Sequence, residues 1–146
     1  MGDAATLGAD FVTVASHVAP IQAVLGDAAV DDKRFTRVDG KASFAGGRVE
    51  VMDISTSHAD NYLLVYVPEL KLVFSADHFS TALESGLPAA NKNTVTFRRA
   101  VEGLGIEVDT FLGAHGPRPL TMADLRTATE GYAEQACPTG HSVCAD

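Results

Sequence analysis

Three polar residues, His58, Asp77 and His115, each stand where an apolar run begins or ends. Two imidazoles and a carboxylate suffice to hold a zinc-like divalent ion with one position open for water, whose pKa the ion draws towards neutrality. Their spacing is the reason to consider them together. His58 precedes the run Tyr62 to Val67, Asp77 follows the run Leu72 to Phe74, and Pro68-Glu69-Leu70-Lys71 between them reads as a turn. Antiparallel pairing of the two runs returns His58 and Asp77 to one sheet edge. His115 follows a third run, Val108 to Leu112, inside Gly113-Ala114-His115-Gly116-Pro117. Loops at strand ends are where rigid scaffolds carry functional residues. Plainer roles compete for all three: His58 capping a turn, Asp77 accepting from nearby backbone amides, His115 packing beneath a glycine loop.

The elements that must position these residues alternate between helix and strand periods, with no internal repeat or low-complexity linker, which predicts a single α/β unit. Asp3 to Leu7 reads as the end of a helix, Phe11 to Ala15 as a short buried strand, and Val18 to Leu25 as a helix with Pro20 in its first turn. Short strands follow at Arg34 to Val38, Ala42 to Phe44 and Arg48 to Ile54, the last two joined by a tight turn at Gly46-Gly47. After Asp77 a loop leads into an amphipathic helix, Thr94 to Leu104, and Thr121 with Asp124 forms a capping box for a closing helix, Met122 to about Tyr132.

Composition narrows the function classes. The 146 residues are 46% hydrophobic, enough for one domain with a sizeable core. A formal net charge of -8, with no basic patch, argues against nucleic acid, and no apolar run reaches the roughly 20 residues that span a bilayer. The first residues lack the basic start and apolar core of a signal peptide, so the chain alone gives a cytoplasmic expectation.

The hairpin Leu64-Val65-Tyr66-Val67-Pro68-Glu69-Leu70-Lys71-Leu72-Val73-Phe74 preceded by His58, the Asp77 that follows it, and the later Ala114-His115-Gly116 resemble the second half of a metallo-β-lactamase-fold hydrolase. The resemblance covers residues 1–134 and implies an α/β (α+β) fold: part of an αβ/βα sandwich of mixed β-sheets with flanking helices, metals lying at one sheet edge. It implies zinc, two ions in the complete site, with His58 on one ion, Asp77 bridging both and His115 on the other. It also implies hydrolysis of an ester, amide, thioester or phosphoester by metal-activated water. The family's first motif, His-x-His-x-Asp-His, does not occur in this sequence. Met1-Gly2-Asp3-Ala4-Ala5 reads like the helix that follows that motif, so the expectation is a C-terminal portion without the early strands and half the metal ligands. Weak or partial metal binding and poor activity follow. An exposed sheet edge would favour self-association into a homo-oligomer, and the rival reading is a non-catalytic module acting that way or through a complementing partner.

The remaining polar residues carry lesser expectations. His78 is a candidate substrate contact or a partner that orients a ligand, Asp60 and Asn61 are placed to hydrogen-bond the His58 imidazole, and Arg118 is a candidate for an anionic substrate, although a surface role is the simpler reading. His17 reads as a cap or surface residue. Residues 135–146 form a separate tail in which Cys137 and Cys144 either pair as a disulfide, remain thiols, or join His141 on a metal. A disulfide would indicate a periplasmic or secreted parent.

Overall fold

The computed structural model describes residues 10–25, 31–81, 86–87, 89–116 and 118–133. The predicted helix at Asp3 to Leu7 and the Cys137, His141 and Cys144 tail lie outside them. The described residues open with a β-α-β unit: β1 (Phe11–Val14), a 3-10 turn, α1 (Val18–Leu25) and β2 (Phe35–Val38), with β1 and β2 parallel in a two-stranded sheet. Its small core is Val18, Leu25 and Phe35 with Phe11 and Ile21, and the Phe11 and Phe35 rings stack at 5.1 Å. Pro20 sits in the first turn of α1, where its missing N–H has no intrahelical partner to lose.

Five further strands, β3 (Lys41–Phe44), β4 (Val49–Ile54), β5 (Tyr62–Val67), β6 (Leu72–Ala76) and β7 (Thr110–Gly113), form a second sheet in sequence order. Neighbours from β3 to β6 are antiparallel, whereas β7 runs parallel to β6 after the crossover through α2 (Lys92–Gly103). The last helix among the described residues is α3 (Met122–Thr129), whose predicted capping box is present in both directions between Thr121 and Asp124. The backbone N–H of Thr121 holds the Asp124 carboxyl below the usual carboxylate range, helped by the Thr121 hydroxyl and Arg118.

Most predicted elements fall within one or two residues of the observed ones. The β3–β4 connection is longer than the two-residue turn expected at Gly46-Gly47: Ala45, Gly46 and Gly47 all take positive φ, and Arg48 Nε donates to the Ala45 carbonyl. The long helix starts two residues early because the Asn91 side chain caps it by accepting from Thr94 N–H.

Side-chain alternation gives the five-stranded sheet two apolar faces. One face, with Met52, Ile54, Leu64, Val73 and Phe111, packs under Phe97 and Val101 of α2 and Leu125 of α3 as the main core. The Phe111 ring meets Phe79 and Phe97 edge-on at 5.8 and 5.9 Å. The other face carries Val51, Leu63, Val65, Leu72, Phe74 and Leu112, of which only Val51 is fully buried and Phe74 is 41% exposed. β5 reads as an unbroken apolar run for this reason.

Candidate functional site

Strand direction gathers one edge of this sheet. β4, β6 and β7 end there and β5 begins there: Ile54 pairs with Tyr62, and Ala76 pairs with Gly113. Residues just beyond these ends share the edge. They are Thr56 to Asn61 after β4, Asp77 to Thr81 after β6, and Ala114 to Gly116 after β7.

Asp77 and His115 meet directly, His115 Nε2 lying 2.9 Å from Asp77 Oδ1, with both side chains largely exposed. The backbone aims them. Ala76 adopts the left-handed region at φ 42, at an irregularity where the β6–β7 register shifts, and turns the chain so that Asp77 leaves the strand line. The buried Ser75 hydroxyl pins this irregularity, with the carbonyls of Phe79 and Leu112 at 3.1 and 3.3 Å, and Ala114 N–H donates to Ala76. On the His115 side two glycines are required by packing. A side chain at Gly113 would overlap Ser80, and one at Gly116, where φ is +95, would overlap the carbonyl and hydroxyl of Thr81. The β6 and β7 loops therefore interlock backbone to backbone.

His58 is placed by a different set of contacts. The Thr56 hydroxyl accepts from the N–H groups of His58 and Ala59, and Ser57 N–H donates to Thr96 Oγ1 on α2. The exposed His58 ring rests edge-on against His78 at 5.4 Å. Asn61 turns away from His58 and donates to Asp53 Oδ2, and Asp60 makes no hydrogen bond or ion pair among the described residues, so the expected help for the His58 imidazole comes from neither.

His78 is buried at 4% exposure among Tyr62, Phe97 and His58, its ring centroid 3.9 Å from that of Tyr62. Its Nε2 lies 2.9 Å from Thr56 Oγ1. Since the Thr56 oxygen already accepts from two backbone amides, its own proton goes to Nε2, and the neutral ring carries its hydrogen on Nδ1, buried without a partner among the described residues. Burial, with the neighbouring His58, lowers the His78 pKa to about 4. Tyr62 is pushed above the ordinary phenol value by burial and by Asp77, and its hydroxyl donates to the Ser75 carbonyl. Arg118 serves locally, donating to the Pro119 carbonyl and lying 3.8 Å from Asp124 at the start of α3. His17 is exposed, as expected.

Sequence reasoning passed over Thr56. The available signal was a threonine just past a strand end and two residues before a histidine, the spacing at which a hydroxyl satisfies the amides of its own turn.

In solved structures the same architecture recurs. The DIM-1 metallo-β-lactamase is similar over 86% of this chain and 57% of its own, at 14% identity and a TM-score of 0.59. A metallo-β-lactamase from Pontibacter korlensis is similar over 87% and 60% at 21% identity and a TM-score of 0.57. The chain has part of the metallo-β-lactamase fold. A chemotaxis sensor, ODP, described as a peroxy diiron species, shares it at 12% identity and a TM-score of 0.57, covering 87% of this chain and 62% of that one. This chain thus spans less than two thirds of the length of these structures. No protein-family model matches the sequence, and no curated protein matches it.

The donor set tests the metal that the fold implies. Asp77 and His115 bring two donor atoms to 2.9 Å, close to the ~3.3 Å edge of a tetrahedron with zinc-ligand bonds of about 2.0–2.1 Å. Yet among the described residues no three His, Cys, Asp or Glu side chains gather so as to hold a metal ion. A catalytic zinc ordinarily takes three protein ligands. Two donors in contact and a third, His58, held against His78 do not fit a complete centre.

Proposed function

We propose that this chain contributes part of a metal-dependent hydrolase centre, with His58, Asp77 and His115 as its share of the ligands, and that alone it binds metal weakly and hydrolyses poorly. The observation that supports this reading is the Asp77–His115 pair: two donors from separate strands, 2.9 Å apart at the edge where three strands end. The reaction class, cleavage of an ester, amide, thioester or phosphoester in a small-molecule substrate, is inferred from the fold alone. Metal identity is open between zinc and iron, because one similar structure is described as a diiron protein.

Zinc titration of the chelator-stripped chain by calorimetry tests the reading. Weak binding, abolished by His115→Ala and by Asp77→Asn, is the expected result, with hydrolysis of ester, thioester and lactam probes close to background. Two tightly held ions per chain would overturn the incomplete site, and zinc binding unchanged in His115→Ala would overturn the assignment.

A second reading, a non-catalytic module that self-associates or pairs with a complementing chain, is favoured by one observation: the sheet face carrying Leu63, Val65, Leu72 and Phe74 is apolar and only partly covered. Sedimentation separates the two. A concentration-dependent dimer that Phe74→Asp dissociates supports the module, and a monomer at all concentrations counts against it.

A further inference from the structure

Four described strands, β1, β2, β3 and β7, have only one ladder neighbour, and three of them are guarded against further pairing. β2 carries Arg37, ion-paired with Asp32, and β3 carries Lys41, ion-paired with Glu50 at 2.6 Å. On β7 the N–H and carbonyl of Phe111 are both bonded to Leu120, at 2.7 and 3.0 Å. β1 differs. Its Phe11-Val12-Thr13-Val14 has no charge, proline or glycine, and Val12 is 42% exposed. It also belongs to a parallel sheet of two strands, an arrangement that ordinarily continues into further strands with both faces covered.

The helix beside this strand is equally unguarded. α1, Val18-Ala19-Pro20-Ile21-Gln22-Ala23-Val24-Leu25, contains no charged residue, and a helix that is apolar nearly all round is expected to be covered all round. Val18 and Leu25 are buried with Phe35, but Ala19, Pro20, Ala23 and Val24 are exposed, Val24 at 73%. Thr13 of β1, His17, and Pro20, Ile21 and Val24 of α1 line a groove of about 390 Å³, with no acidic residue, lysine or arginine among them. Asp10, just before β1, is paired with Arg34 at 3.5 Å. In a chain of net charge -8 this surface lets two copies approach without bringing like charges into contact.

We infer that β1 and α1 form a contact with a second copy of this chain. A two-fold axis perpendicular to the small sheet pairs β1 antiparallel with its counterpart and gives four strands in the order β2-β1-β1-β2. Both α1 helices then lie on one face, with Ile21 and Val24 of each copy at the groove of the other. A second copy fits because β1 is itself the uncharged, β-branched strand that such an edge accepts, and α1 brings the apolar side chains that such a groove accepts. The contact is independent of the hydrolase reading. It rests on the self-associating reading only in requiring a second copy, and it uses a different surface from the sheet face that carries Phe74.

The test is sedimentation velocity of the chelator-stripped chain over a range of protein concentrations at two salt concentrations, with Val24→Glu, Val12→Lys and Phe74→Asp as variants and circular dichroism as the check on folding. A monomer–dimer equilibrium is expected, tightening as salt screens the repulsion between acidic copies. Val24→Glu, which places an unpaired charge in the contact, and Val12→Lys, which guards the edge, should each weaken the dimer at least about tenfold, and Phe74→Asp should leave it unchanged. Hydrogen exchange of the parent chain needs no variant: the β1 amides should slow as concentration rises while those of β3 do not. A monomer at every concentration overturns this contact and self-association together. A dimer dissociated by Phe74→Asp alone overturns this contact and keeps the sheet-face module. Folded Val24→Glu or Val12→Lys with parental dimer affinity, or β1 amides indifferent to concentration, would also overturn it.

Discussion

At the residue scale the edge is organised around one hydroxyl. Thr56 Oγ1 satisfies two amides of the loop that carries His58 and gives its proton to His78, so a single side chain fixes a candidate ligand and a buried imidazole together. The folded protein binds the His78 proton only near pH 4, while an unfolded chain binds it near 6.5, so the unfolded state holds more protons between those values. Stability is full above about pH 6.5 and falls as pH drops towards 4, by up to about 3 kcal/mol. Denaturant melts of the chelator-stripped chain at pH 7 and pH 4.5 should show this loss, and His78→Gln should flatten it. An equally steep loss in that variant would assign the acid sensitivity to other groups.

At the element scale the β6 and β7 loops are held by shape more than by charge. The Asp77–His115 pair is exposed, and such pairs contribute at most about 1 kcal/mol. Gly116 against Thr81 is a backbone contact with no room to yield, at a φ that side chains resist. Gly116→Ala is expected to cost about 2 kcal/mol or more in thermal or denaturant unfolding. Gly103→Ala, with open space at the last residue of α2, should be neutral or stabilising. Strand-turn-strand order was legible in the sequence because the hairpin around Pro68 has a strong local signal, two apolar runs flanking a proline turn. His58 was legible as an edge residue for the same reason. Its separation from Asp77 and His115 was not, because it depends on Thr56, Thr96 and His78, contacts between segments 22 and 39 residues apart. Nor did the sequence reveal the left-handed Ala76, whose backbone turn is imposed by the bulge beside it.

At the scale of the whole molecule the two sheets differ in how much holds them. Among the described residues the β1-α1-β2 unit has five buried apolar residues, of which only Val18, Leu25 and Phe35 pack as a cluster, and Val24 on its helix is 73% exposed, whereas the five-stranded sheet is backed by α2 and α3 over a cluster of eleven buried residues. Local opening should therefore begin in the smaller unit. Hydrogen exchange is expected to release the amides of β1 and β2 well before those of β5 and β6, and equal protection across both sheets would contradict this. The alternating sheet also separates the molecule into a working edge and a free one. The turn Pro68–Leu70 lies a full strand away from Asp77, and Glu69 and Leu70 at its tip are exposed. A fluorophore or surface tether attached at Glu69 would leave the candidate centre facing solution, so a labelled preparation can report on metal binding there.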